Sequence, residues 1–79
     1  MTEIHVTRVD ARPGYRLNLV FNNGERRVFD MFPYLSAKPF HALKDPHIFA
    51  KAEVVTGTVV WPRTPGMAPA TLYAGSRPS

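Results

Sequence analysis

Seventy-nine residues carrying ten Lys plus Arg, six Asp plus Glu and a formal charge of +4 describe one small basic domain. The complete lack of cysteine excludes disulfide staples, thiolate metal sites and cysteine nucleophiles, and fits a reducing cytoplasm. Folding a chain of this length removes roughly 60% of its surface from water, so the core is small and large internal cavities are excluded.

Ile4, Val6 and Val9 belong to a first strand that ends at Arg12-Pro13-Gly14, where proline fixes φ and glycine frees it. Tyr15, Leu17, Leu19 and Phe21 then alternate with Arg16, Asn18 and Val20, the two-residue period of a half-buried second strand. Asn22-Asn23-Gly24 marks a hairpin, because Asn and Gly tolerate the positive φ of tight turns. A two-residue loop would oppose Phe21 with Arg26 and Leu17 with Asp30, setting charge against the apolar face. A three-residue loop with Gly24 left-handed instead opposes Leu19 with Arg27, Leu17 with Phe29, Tyr15 with Met31 and Arg16 with Asp30. That register is the expected one. It turns Tyr15, Leu17, Leu19, Phe21, Phe29 and Met31 inward and Arg16, Asn18, Arg26 and Asp30 outward, and it requires Arg27 to reach past the end of the sheet.

From Phe32 to Ala50 the pattern changes, since Pro33, Pro39 and Pro46 suit first helical turns and bar a central strand. Short turns are expected at Pro33-Tyr34-Leu35 and from Phe40 to Leu43, with a third starting at Pro46 under an Asp45 cap and pinned by Ile48 and Phe49. Val54-Val55, Thr56-Gly57 and Thr58-Val59-Val60-Trp61 read as a second hairpin that Pro62 ends. Ala70 to Tyr73 forms a last turn, with Leu72 and Tyr73 over the sheet edge. The expected architecture is α+β, with an antiparallel sheet of about five strands ordered β-β-β, short helical turns, β-β hairpin and C-terminal turn. One domain covers residues 1–74, and 75–79 form a flexible tail.

Little in the sequence carries catalytic chemistry. His5, His41 and His47 are not at metal-ligand spacing with one another or with a carboxylate, Ser36 and Ser76 lack an oriented base, and the glycines form no phosphate loop. The expectation is therefore no enzyme, no metal and no cofactor. The longest uncharged apolar run is too short to span a bilayer, and residues 1 to 15 lack an apolar signal core. The seven arginines are the main source of the positive charge, and Arg8, Arg16 and Arg26 are candidates for a nucleic-acid-binding stripe on the outer sheet face. Asp30, Glu25 and Glu53 interrupt that stripe. Three short turns cannot cover every strand of so small a domain, so open sheet surface is left for a protein partner or a second copy.

Phe21-Asn22-Asn23-Gly24-Glu25-Arg26-Arg27-Val28-Phe29-Asp30, then Pro33-Tyr34-Leu35, Phe40, Leu43 and Phe49, and finally Gly57-Thr58-Val59-Val60-Trp61-Pro62 with Leu72-Tyr73 form an ordered series. In that series the chain resembles the small bacterial family known as domain of unknown function 2442. The resemblance implies a small α+β fold and no catalytic residues. It also implies a setting of stand-alone proteins, often encoded beside another small protein in the manner of toxin and antitoxin pairs, with some members fused to a helix-turn-helix. Where the family usually has acidic residues around the Pro before Leu-Tyr, this chain has Gly66 and Ala70, and Arg63 adds a positive charge. The resulting expectation is a non-enzymatic, antitoxin-like interaction module that binds a protein partner through a sheet edge and Trp61, Pro62, Arg63, Leu72 and Tyr73. The alternative is nucleic-acid binding through Arg8, Arg16 and Arg26.

Overall fold

The computed structural model describes residues 3–62 and 64–79. Three strands open the chain, β1 (Val6–Arg12), β2 (Arg16–Phe21) and β3 (Arg26–Asp30). They pair as the three-residue loop requires, with Arg16 opposite Asp30, Leu17 opposite Phe29 and Leu19 opposite Arg27. Gly24 takes φ 86°, the left-handed value that lets this loop close. A slip of one residue would have turned the whole apolar set to solvent.

Between β1 and β2 the pairing runs from Arg12 opposite Arg16 back to Arg8 opposite Val20, and then skips to Val6 opposite Phe21. Thr7 is the extra residue of this bulge, and its Oγ1 donates to the Val20 carbonyl at 3.1 Å. In an unbroken strand Val6 and Arg8 would share a face. The bulge lets Val6 enter the core while Arg8 points outward.

The proline-rich middle forms 3₁₀ turns at Phe32–Tyr34 and Lys38–Lys44, followed by the one-turn helix α1 (Pro46–Phe49). The Asp45 side chain accepts the His47 N–H at 2.9 Å, which is the expected N-cap. Asp30 does similar work upstream, where its Oδ1 accepts the Phe32 N–H at 3.0 Å. The second hairpin joins β4 (Glu53–Val55) to β5 (Thr58–Trp61) through Thr56 at φ 52° and Gly57 at φ 77°, the paired positive values of a two-residue turn matched to strand twist.

Three features depart from the expected architecture. Among the described residues the strands form two antiparallel sheets, one of four strands and one of three, where a single sheet of about five was expected. The bulged start of β1 meets the second hairpin at the backbone bond from Val6 N–H to Gly57 O, 2.9 Å, and among the described residues no continuous ladder joins the sheets. A further strand, β6 (Thr64–Met67), pairs with β5 and holds Met67 in the core. It includes Pro65 and Gly66, which an edge strand tolerates because one side of its backbone needs no ladder partner. Finally, residues 75–79 are placed as a closing segment. Helix α2 (Pro69–Gly75) leads to Ser76, which is buried, and to β7 (Arg77–Pro78), which pairs with Arg27 and Val28 of β3. Burial of Ser76 and pairing of β7 supply partners that a tail would lack.

One apolar cluster gathers the inner faces of both sheets with the helical turns. It joins Val6, Leu17, Leu19, Phe21, Phe29 and Met31 to Leu35, Leu43 and Phe49, and these to Val59, Trp61, Met67 and Leu72. The first sheet therefore packs its inner face on this cluster. Among the described residues no helix or strand covers its outer face.

Candidate functional site

The outer face of the four-stranded sheet is built by register. Residues paired directly across antiparallel strands put their side chains on the same side. One row runs Arg8, Val20, Arg26, the next Asp10, Asn18, Val28, Arg77, and the third Arg12, Arg16, Asp30. Five arginines thus share one face with two aspartates. Arg8, Arg12, Arg16, Asn18, Arg26 and Arg77 are exposed, whereas Val20 and Val28 are half-buried between them.

The two aspartates only partly offset the arginines. Asp10 stands 3.6 Å from Arg12 in an exposed pair, which is worth little because water and salt screen it. Asp30 lies opposite Arg16 as the register requires, yet it caps the following 3₁₀ turn and makes no ion pair with Arg16 within 4 Å. Among the described residues, Arg8, Arg16, Arg26 and Arg77 have neither an ion pair nor a side-chain hydrogen bond to the rest of the chain. Arg8 and Arg26 line a hollow of about 290 Å³ together with Asp10, Asn18, Val20 and Ser79.

Arg27 has a different task. It faces the inner side beyond Leu19 and does reach past the sheet, onto the C-terminal segment. Its Nε donates to Ser76 Oγ at 2.7 Å, its Nη2 to the Ser76 carbonyl at 2.8 Å and its Nη1 to Glu25 Oε1 at 2.9 Å. The guanidinium also lies over the Tyr73 ring at 4.6 Å. The Tyr73 hydroxyl donates to Glu25 Oε2, which holds the Glu25 carboxyl below its ordinary pKa and, as the same bond seen from the phenol, raises that of Tyr73. This network ties α2 and β7 to the first hairpin.

The structure places the expected partner-binding residues differently from one another. Trp61 is 4% exposed, its ring stacks on Phe49 at 6.2 Å, and its Nε1 donates to the Phe49 carbonyl at 3.1 Å. Leu72 is fully buried. Both are core residues, because Pro62 ends β5 only after Trp61 has taken its inward position and α2 turns Leu72 into the same apolar cluster. Tyr73 is half-buried in the Glu25 network and packs edge-on against Phe21 at 5.1 Å. Pro62 alone of the five is exposed in the described structure, and Arg63 lies outside the described residues. Among the described residues, Trp61 and Leu72 are thus withdrawn from the surface of this segment. Arg8, Arg16 and Arg26, in contrast, do come together, and they are joined by Arg12, Arg77, Val20 and Val28, which the sequence reading did not name. Arg12 could have been found by carrying the pairing across the Pro13-Gly14 turn to Arg16. Arg77 gave no such signal, since two residues near an end show no period.

Other polar groups are engaged locally. His41 Nε2 donates to the Ser36 carbonyl at 3.0 Å, and His47 Nδ1 sits 3.5 Å from its own capping aspartate. Among the described residues no three His, Cys, Asp or Glu side chains converge as metal ligands, and no helix is long and apolar enough to cross a membrane.

No curated protein and no solved structure is similar enough to this chain to match it. The family model described as a protein of unknown function, DUF2442, matches residues 6–78, from the first residue of β1 to the last of β7. By that match the chain belongs to the DUF2442 family.

Proposed function

We propose that the protein is a non-enzymatic interaction module that docks a protein partner on the outer face of its four-stranded sheet. The observation that carries this reading is the grouping around Val20 and Val28 of four arginines that have no side-chain partner among the described residues. Half-buried apolar side chains at the centre and arginines at the rim match the anatomy of protein interfaces, where Arg is enriched and Lys depleted. All three lysines, Lys38, Lys44 and Lys51, lie away from this face, near the 3₁₀ turns and α1. Asp10 and Asp30 within the face disfavour a phosphate backbone, which would approach them at close range. In a gene pair of toxin and antitoxin type, this chain would be the antitoxin-like member, acting in the cytoplasm. Trp61 and Leu72 serve the core of the module and not its docking surface.

The test is affinity capture from lysate of the source organism, treated with nuclease and washed at low and high salt, using the wild type and an Asn18→Trp variant. Asn18 is exposed at the middle of the face, so tryptophan there obstructs docking and leaves the core untouched. The expected result is a protein that survives nuclease and salt with wild type and is lost with the variant. Capture unaffected by Asn18→Trp would remove this reading, and nucleic acid released by salt would favour polyanion binding by the same arginines. A homodimer built on this face would be equally sensitive to the variant and would show as a change in mass by light scattering.

A further inference from the structure

We infer that Arg8 and Arg26 form a two-armed cradle for a carboxylate side chain of the docked partner, so that the partner presents an acidic segment to this hollow. The inference rests on the reading of the outer face as a protein-docking surface, and it names the anchor.

Three independent features of the structure meet here. Arg8 and Arg26 stand on either side of Val20 in one row across three strands. Neighbouring strands are about 4.8 Å apart, so the two Cα atoms are separated by roughly 10 Å, a span that two extended arginine side chains can close over one carboxylate. The hollow between them, about 290 Å³, is open to solvent and has ample room for a carboxylate side chain. Second, the bulge at Thr7 aims Arg8. Without it the side chain would follow Val6 inward, and bulges recur where a strand must redirect a side chain for use. Third, neither arginine is engaged by the described residues, whereas Arg12 and Arg27 have acidic neighbours. Asp10 lines the same hollow one row further along, so the site is selective for position. A carboxylate is accepted over Val20 and repelled one row further along. A continuous run of phosphates would meet that repulsion at once.

Hexaglutamate is the probe for this cradle. Titrated into the isotope-labelled full chain at low salt, it is expected to shift the amide signals of Arg8, Val20 and Arg26 and the Nε–H signals of the two arginines. Arg8→Gln and Arg26→Gln should each weaken the interaction about tenfold, the loss of one charge-assisted contact, while Lys38→Gln and Lys44→Gln leave it unchanged. An oligothymidylate titrated in parallel should bind more weakly and with shifts not centred on Val20. Equal affinity in the arginine variants, shifts centred on the lysine-bearing turns, or tighter oligothymidylate binding at the same residues would overturn the cradle. Because Asn18→Trp blocks the whole face and Arg8→Gln only the anchor, the two readings fail separately. Partner capture that is lost with Asn18→Trp and kept with Arg8→Gln, Arg26→Gln removes the cradle alone.

Discussion

The segment from Trp61 to Tyr73 and the outer face of the first sheet are opposites in the use they make of conspicuous residues. The former holds the only tryptophan, a buried leucine and a tyrosine, and turns the first two into the core. The latter is made of residues that look like ordinary solvated strand positions, and the pairing of four strands assembles them into one surface. Residue type alone does not say which side chains reach the surface. What decides is whether the local backbone sends a side chain inward, as β5 does for Trp61, or outward, as the Thr7 bulge does for Arg8.

This contrast can be broken most forcefully in the core. Trp61→Ala should cost about 3–5 kcal/mol and Leu72→Ala about 2–5 kcal/mol, measured by urea unfolding, which in a domain of this size removes most or all of the folded population. Variants that stay fully stable would return both residues to the list of surface contacts. Gly57→Ala should follow, at about 1–3 kcal/mol, because a Cβ at that position would stand 2.6 Å from His5 Cβ and the backbone is at φ 77°. A neutral result would show that the meeting of the second hairpin with the start of β1 is loose.

The Glu25 network sharpens the comparison at its border, where the C-terminal segment closes on the first hairpin. A carboxyl whose pKa is lowered by folding stabilises the native state above its unfolded pKa, and that contribution is lost as pH falls through the folded value. A phenol whose pKa is raised stabilises below its unfolded pKa of about 10 and loses the contribution as pH rises beyond it. Tyr73→Phe should therefore lower Tm at neutral pH and flatten the fall in Tm on both the acid and the alkaline side. An unchanged pH profile would mean that the hydroxyl bond to Glu25 does not persist in solution. The smallest stability effect belongs to the face itself. Arg8→Gln, Arg16→Gln and Asn18→Trp should each change stability by no more than about 0.5 kcal/mol by thermal melt, since none touches the core.

Much of this fold is legible in the sequence because its period is simple. The alternation from Tyr15 to Phe21 and the left-handed glycine at 24 fix the pairing of β2 with β3, and Asp45 before Pro46 announces its helix. β6 was hidden because Pro65 and Gly66 are turn formers that an edge position happens to accept. The second sheet was hidden for another reason, since nothing local tells a hairpin whether its neighbour continues a ladder or only touches it. The closing segment escaped notice because Arg27 is its anchor, and the bonds to Ser76 span 49 residues. The face was half legible. Arg16 and Arg26 follow from the hairpin register, but Arg8 depends on a bulge that strict alternation does not foresee, and Arg77 on a strand of two residues.

The most direct test of the docking face is site-specific photocrosslinking in the source organism, with a benzoylphenylalanine placed at Asn18 on the first sheet or at Val55, which is 47% exposed on the second. Docking on the first sheet predicts one discrete protein adduct from position 18, weakened by Arg8→Gln together with Arg26→Gln, and none from position 55. An adduct from position 55 alone, or crosslinks to nucleic acid from position 18, would contradict it.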